Sequence, residues 1–459
     1  MASNDLTSLK PKQKRRLYEP IVLYKALAEI THEEGALRQT EPSDSAETEE
    51  QQYHRFLHNI ASVCDRVKRG KTVTSVTILD GEDKFTYVFG CNQVFDKDLR
   101  STKDFMTSLL KRLYGFHLLS STEKTSAQNE IFEMILAFNS PRIQCYLDTL
   151  RKNIAQCLLY CERSTTQNER NATAGRIRDG RSFECWSELR HAIYRLQSYK
   201  KALQCLIDSE ETWPELFQEF VVVPIESSKP DSNPLGRKSE AAHGIIGRMC
   251  SDTASIERYR GLARSLEWIN LDDRIKTQST RPSFKPYVHS EVLVLEWLMA
   301  QPNVSFFRDW RYIGSSKGAC QLCRYYFDAA GQHNDIKTRS SHGNLYVNWR
   351  FPDIQEGETS FGKTRRQTIY NSMMTRIRED AFSILVDKSS KGKRHDSSTH
   401  PLTSAMYAST DIWTDIGARD MPNIDELGES FAKKLSLKPV IETVGASDVD
   451  DEDGGITLG

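Results

Sequence analysis

The chain has no run of 18 or more apolar residues, so no segment is expected to span a bilayer as a helix. Its first residues, MASNDLTSLKPKQKRR, lack the apolar core of a secretory signal. These absences point to an intracellular protein, cytoplasmic or nuclear, with no membrane partner. Net charge is also missing: 62 lysines and arginines stand against 63 aspartates and glutamates, a formal −1. No global basic field therefore draws in nucleic acid. No internal repeat of fixed period is evident, which argues against a solenoid or propeller. A disulfide framework is not expected either. The ten cysteines fit reduced, buried thiols, and only Cys320 and Cys323 have the C-x-x-C spacing of a metal or redox site.

What is present is the composition of a globular protein, 38% hydrophobic and 27% charged over 459 residues. That length suits one large domain or two to three ordinary ones. Residues 1–17 read as a disordered arm with Lys10, Lys12, Lys14, Arg15 and Arg16 as a local basic run, either solvated or a nuclear-import or phosphate contact. Residues 18–70 read as two helices, near 18–38 and 51–68, joined by the acidic linker 39–50. Residues 71–95 carry a hairpin signal: TVTSVTIL and KFTYVFG are β-branched and aromatic, and they flank Asp80-Gly81-Glu82-Asp83. From 100 to 275 apolar residues recur at three- and four-residue spacing, the mark of amphipathic helices. Residues 280–388 alternate helix and strand patterns, with Leu345-Tyr346-Val347-Asn348-Trp349 reading as a strand, and 389–459 turn polar and acidic, as a disordered tail does.

The chemistry-bearing residues fall in the block 287–350. His289-Ser290-Glu291 opens VHSEVLVLEWLM, an apolar helix, and Cys320-Gln321-Leu322-Cys323 opens CQLCRYYFDAAG, a second helix ended by Gly331. Side chains of a first turn lean toward the helix N-terminus. His289 and Glu291 are roughly 200° apart around a helix, so they can meet only at an object off its end. Cys320 and Cys323, one turn apart, can bite one ion together. Three protein ligands leave one position of a tetrahedral zinc open, the catalytic arrangement. A carboxylate that is not a ligand can then shuttle the proton of an activated water.

The block Tyr287–Trp349, through VHSE, YIGSSKGACQLC and SHGNLYVNW, resembles a family of fungal nucleotide or nucleic-acid deaminases in the cytidine-deaminase-like superfamily. The resemblance covers about 60 contiguous residues. It implies that His289, Cys320 and Cys323 bind Zn2+ and that Glu291 is the acid/base. It implies an α/β/α sandwich with both motif helices on one face of the sheet. The superfamily hairpin normally precedes the His-bearing helix directly, whereas here the best hairpin is at 72–92. The resemblance therefore implies a large helical insertion, 100–275, inside the core, besides the N-terminal helices. It also places Asn92 at the end of the second strand, where a relative's Asn holds substrate; the alternative is a turn residue. His342 and Lys317 are further candidates for the pocket wall, with loop roles as alternatives. Many superfamily members carry Pro before the first cysteine; Ala319 stands there, which predicts a looser loop.

Other readings remain open at this point. Cys320 and Cys323 with His333 and His342 would make a closed structural zinc site. Trp310, Tyr312, Tyr287 and Trp349 are aromatics able to stack on a base or to pack a core. A deaminase-like scaffold binding a protein partner through its helical region is the rival to an enzyme acting on a nucleotide or single-stranded nucleic acid.

Overall fold

The structure is a computed structural model that describes residues 6–33, 47–163, 184–236, 240–266, 270–355 and 360–386. The acidic tail expected at 389–459 and most of the linker 39–50 lie outside the described residues. The N-terminal half runs β1 (Leu6–Thr7), α1 (Pro11–Glu33), α2 (Glu49–Cys64), β2 (Thr74–Asp80), β3 (Phe85–Cys91), α3 (Asp96–Leu113), α4 (Ser121–Phe138), α5 (Ser140–Arg163) and α6 (Glu184–Thr212). Next come β4 (Phe220–Ile225), α7 (Ala242–Met249), α8 (Thr253–Arg264) and α9 (Leu271–Thr280). The last part holds α10 (Ser290–Met299), β5 (Tyr312–Ser315), α11 (Gln321–Phe327), β6 (Lys337–Thr338), β7 (Ile354–Gln355) and α12 (Ser360–Val386).

The fold is mixed α/β. One five-stranded sheet has the order β4-β3-β2-β5-β6. The hairpin β2–β3 pairs Thr74 with Cys91 at its open end and Asp80 with Phe85 at its turn. β2 also pairs antiparallel with β5, Ser75 opposite Ser315, although about 240 residues separate them in the chain. Side chains alternate across the sheet, as strand geometry requires. Val88 and Ile313 enter one core with α1, α7, α10, α11 and α12. Tyr87, Phe89 and Tyr312 enter the other with α2, α3, α4 and α6. The sheet is thus covered on both faces.

Two glycines let helices approach the sheet closely, one on each face. A Cβ on Gly90 would meet Leu293 and Val294 of α10 at 3.1 and 3.3 Å. A Cβ on Gly314 would come within 2.8 Å of the Leu57 backbone carbonyl carbon and 3.1 Å of the His58 nitrogen in α2. Backbone cannot swing aside as a side chain does. Gly314→Ala is therefore expected to cost about 1–3 kcal/mol, the usual penalty of overpacking, read as a lower denaturant midpoint. An unchanged midpoint would mean that α2 is not fixed against β5.

Three sequence expectations need correction. Helix α1 begins at Pro11, inside the arm expected to be disordered, because its apolar stripe starts early: Leu9, Leu17, Tyr18 and Ile21 are all buried. Lys14 of the basic run pairs with Asp231. The region 100–275 is not purely helical, since Phe220–Ile225 adds a strand parallel to β3. Its Val221-Val222-Val223 run is β-branched, and Pro224 suits an edge strand. Residues 345–349, expected as a strand, form only a single bridge, Tyr287 with Trp349.

Candidate metal centre

Helices α10 and α11 aim their N-termini at one point. His289 caps α10 in extended backbone (φ −71°, ψ 150°), and Cys320 caps α11 in the same way (φ −73°, ψ 168°). The Cys323 N–H donates to Cys320 Sγ at 3.4 Å, which satisfies one amide of the α11 first turn. Both sulfurs lie 3.5 Å from His289 Nδ1. All three side chains are buried, and their donor atoms lie within 4.8 Å of one another; among the described residues no other such group is gathered.

Burial opposes ionisation of both thiols. At Cys320 the hydrogen bond with Cys323 and the charge of His289 outweigh it, and the thiol is pulled down to about 6. At Cys323 burial, the neighbouring Cys320 and the Glu291 carboxylate all act in the same direction and hold the thiol well above its ordinary value. Two sulfurs and an imidazole, buried and converging, are a donor set that fits a divalent ion of zinc type. Trp349, fully buried, donates its indole N–H to Cys323 Sγ at 3.1 Å. That is an outer-shell partner for a donor sulfur.

A pocket of about 40 Å³ opens on this cluster. Asn92, His289, Glu291, Lys317, Cys320 and His342 line it. Of the seven residues read from the sequence as donors, acid/base or pocket wall, six line it, and Cys323 is one of the three clustered donors. Glu291 is 4% exposed and sits on the first turn of α10, outside the donor group. The Ser290 hydroxyl lies 3.4 Å from its Oε2 and 2.8 Å from Ser75 Oγ of β2. Lys317 is buried at 6% exposure. The loop bearing it is tied down although Ala319 replaces Pro, since the His342 N–H donates to the Ala319 carbonyl at 3.1 Å.

Asn92 ties the hairpin to the motif helix. Its Oδ1 accepts the Ser290 N–H at 2.8 Å, and its amide nitrogen donates to the Gly70 carbonyl at 2.9 Å. An amide nitrogen carries two protons, so this bond uses one of them, and Asn92 lines the pocket. Asn92→Ala would leave the buried Ser290 N–H without its acceptor. It is expected to cost about 1–3 kcal/mol of stability, measured by denaturant unfolding, and to weaken metal retention by loosening the turn that bears His289. A variant as stable as the parent would show that the bracket carries no weight.

Other candidates lie elsewhere. His333 does not join the cysteines: its Nε2 donates to the Tyr326 carbonyl at 2.7 Å and its Nδ1 faces Arg365 at 3.1 Å. Burial and Arg365 push that imidazole down to about 4. The closed Cys₂His₂ reading therefore falls. Trp310 packs against Tyr53 and Trp213, with ring centroids 5.1 and 6.0 Å apart. The Tyr312 hydroxyl meets His58 Nε2 at 3.1 Å. Both aromatics pack in the α2 core and neither lines the metal pocket. Tyr287 lines the pocket, as does Tyr346, which the sequence reading did not single out. Its ring centroid is 6.2 Å from that of His289 and 5.8 Å from that of His342. The -x-x-x-Tyr-x-x-Trp spacing after His342 carries no signal without the loop geometry.

Residues 288–353 match a family model described as an OTT_1508-like deaminase. The matched stretch starts one residue before His289 and ends beyond Trp349, so it holds all three donors, Glu291, Lys317 and His342. Asn92 and the hairpin lie outside it. No curated protein and no solved structure matches the chain.

Proposed function

We propose that this chain is a zinc-dependent hydrolytic deaminase acting on the amino-bearing carbon of a cytosine- or adenine-type base in a nucleotide or nucleic acid. The observation that carries the reading is one buried cluster in which His289, Cys320 and Cys323 converge, opening on a pocket that Glu291 lines without joining the donors. The resemblance of VHSE, YIGSSKGACQLC and SHGNLYVNW to nucleotide and nucleic-acid deaminases supports a base as substrate. Residues 71–95 and 280–388 then form the core, and 100–275 the inserted region.

His289, Cys320 and Cys323 would hold the ion. Zinc, when bound, supplies Lewis acidity that activates water near neutral pH. The reaction adds water to an amino-bearing ring carbon and releases ammonia, leaving a carbonyl. Glu291 takes one proton of the attacking water to the ring nitrogen, then takes the second, from the hydroxyl so formed, to the departing amine. Asn92, with its remaining amide proton, and His342 orient the base. Lys317, a buried cation on the wall, faces the carbonyl or phosphate oxygen of the substrate. A volume of about 40 Å³ is on the scale of a water molecule. The reacting edge of the base enters there, and the sugar and phosphate stay outside.

The test is elemental analysis of the purified chain together with a mass-spectrometric screen of nucleosides, nucleotides and single-stranded oligonucleotides. One zinc per chain and a product heavier by about 1 Da are expected. A chain that carries no zinc and turns over nothing in the screen would overturn the reading. Exposed apolar side chains on the helical region, Ile154 of α5 with Ile193 and Tyr194 of α6, support a second reading in which that region docks a protein partner.

A further inference from the structure

Helix α11 follows Cys320 and carries Cys323, yet it has only seven residues, Gln321–Phe327. A helix of under two turns does not hold its own shape or tilt in water, so groups packed around it must. Part of that hold comes from outside residues 288–353. Gln321 and Tyr325 stand one turn apart, on one flank of α11. At about 100° per residue, that flank lies roughly 150° around the helix from the mean direction of Cys320 and Cys323.

Both side chains donate to a single oxygen, Oδ2 of Asp380 on α12: the Gln321 amide at 3.3 Å, and the Tyr325 hydroxyl beside it. The Tyr24 hydroxyl of α1 reaches the same oxygen at 3.3 Å. Tyr24, Gln321 and Tyr325 are all buried. Burial, with Tyr24 and Asp380 acting in the same direction, holds the Tyr325 phenol well above its ordinary value, so it stays a donor. Three helices, α1, α11 and α12, therefore meet on one carboxylate oxygen.

The rest of α11 is tied in the same manner. The Gln321 backbone N–H donates to the Asn344 carbonyl at 2.8 Å, which fixes the start of the helix against the loop bearing His342 and Tyr346. The Tyr326 hydroxyl donates to Glu296 of α10 at 2.7 Å, and Glu296 pairs with Arg365 of α12 at 2.7 Å. Apolar contacts alone would bury α12: its Met373, Ile377 and Ala381 have no exposure. A half-buried acid among them costs desolvation. What it brings instead is direction, and a pair of metal donors needs direction more than burial.

We propose that Asp380 is a positioning residue of the metal centre: through Gln321 and Tyr325 it sets the tilt of α11, and with it the placing of Cys320 and Cys323 against His289. This rests on the metal-centre reading and extends it to α12, beyond the residues that match the deaminase family.

Asp380→Asn keeps the size of the side chain. It offers one carbonyl oxygen to three donors and turns an NH2 group toward them, so at least one bond is lost. The zinc dissociation constant of the full chain is measured by competition with a chromogenic chelator, and the sulfur-to-metal absorption bands are recorded after exchange with Co2+. Zinc should bind about tenfold more weakly, the lower end of outer-shell effects because Asp380 acts through a further residue, and the cobalt bands should shift. Tyr325→Phe should weaken zinc a few-fold, and add little in the Asp380→Asn background, because both break one network. Ile377→Val, one turn away on α12 and fully buried, should lower the melting temperature through its lost methylene and leave zinc affinity and cobalt bands as in the parent.

Unchanged zinc affinity in Asp380→Asn would overturn the proposal, as would equal weakening by Ile377→Val at an equal loss of melting temperature. If Asp380→Asn does not fold, Tyr325→Phe, which keeps the ring, decides on the same two measurements, and parent-like values overturn it. A parent chain that takes up no zinc removes the metal centre and the role of Asp380 together. A parent that binds zinc no better than Asp380→Asn leaves the metal centre standing and takes only Asp380 out of it.

Discussion

Replacing Glu291 by Gln is expected to lower turnover by about 10²–10⁴-fold, the usual worth of a positioned proton shuttle. Zinc content and melting temperature should stay near those of the parent. Glu291 lies outside the donor group, so its loss removes no metal bond. Gln keeps the length and polarity of the side chain and can still accept from Ser290, which lies 3.4 Å from the carboxylate. The carboxylate is also one of the groups that hold the Cys323 thiol high. A neutral amide there eases thiolate formation, so metal affinity should hold or tighten. Buried carboxylates are often stability liabilities kept for function, and a small gain in melting temperature fits the same logic. Rates, elemental analysis and melting curves on one preparation decide. Loss of zinc or unfolding would make Glu291 a ligand or a structural partner, and full activity would move the chemistry elsewhere.

The grouping of His289, Cys320 and Cys323 was legible because the three sit in two short, rigid pieces. His289 and Cys320 each open a helix, and helix starts are written locally: an apolar run follows each, and the capping residue is the donor itself. The hairpin was equally legible, since β-branched strands and a Gly-containing turn are local signals. Its partnership with β5 has no local signal, because pairing across about 240 residues leaves no trace in either segment. Strand β4 was lost inside a region dominated by helical periodicity, although Val221-Val222-Val223-Pro224 is a poor helix. Residues 345–349 misled in the other direction. Their alternating apolar pattern was read as strand pairing. It reflects the insertion of Leu345, Val347 and Trp349 into the core of a loop. The role of Trp349 could not be read at all, because an indole that serves a sulfur looks, in sequence, like any buried tryptophan.

That indole makes the cysteine variants separable, and they are expected to give the largest loss of structure. Cys320→Ser and Cys323→Ala should each abolish stoichiometric zinc, since removing one of three protein donors leaves two. Their metal-free stabilities should differ. Ser at 320 still offers an oxygen to the Cys323 N–H, and Ser is among the better helix caps. With the metal chelated away, Cys320→Ser should melt close to the equally chelated parent. Cys323→Ala removes the acceptor of the Trp349 N–H, in a side chain with no exposure, and opens a small void beside it. An unsatisfied buried donor costs about 1–3 kcal/mol, so this variant should melt below the chelated parent. The experiment is zinc per chain by elemental analysis, with melting curves run with and without chelator. If Cys320→Ser keeps a full equivalent of zinc, the donor assignment fails. If both variants lose zinc but melt alike after chelation, the ion is held as proposed and Trp349 does not support its sulfur.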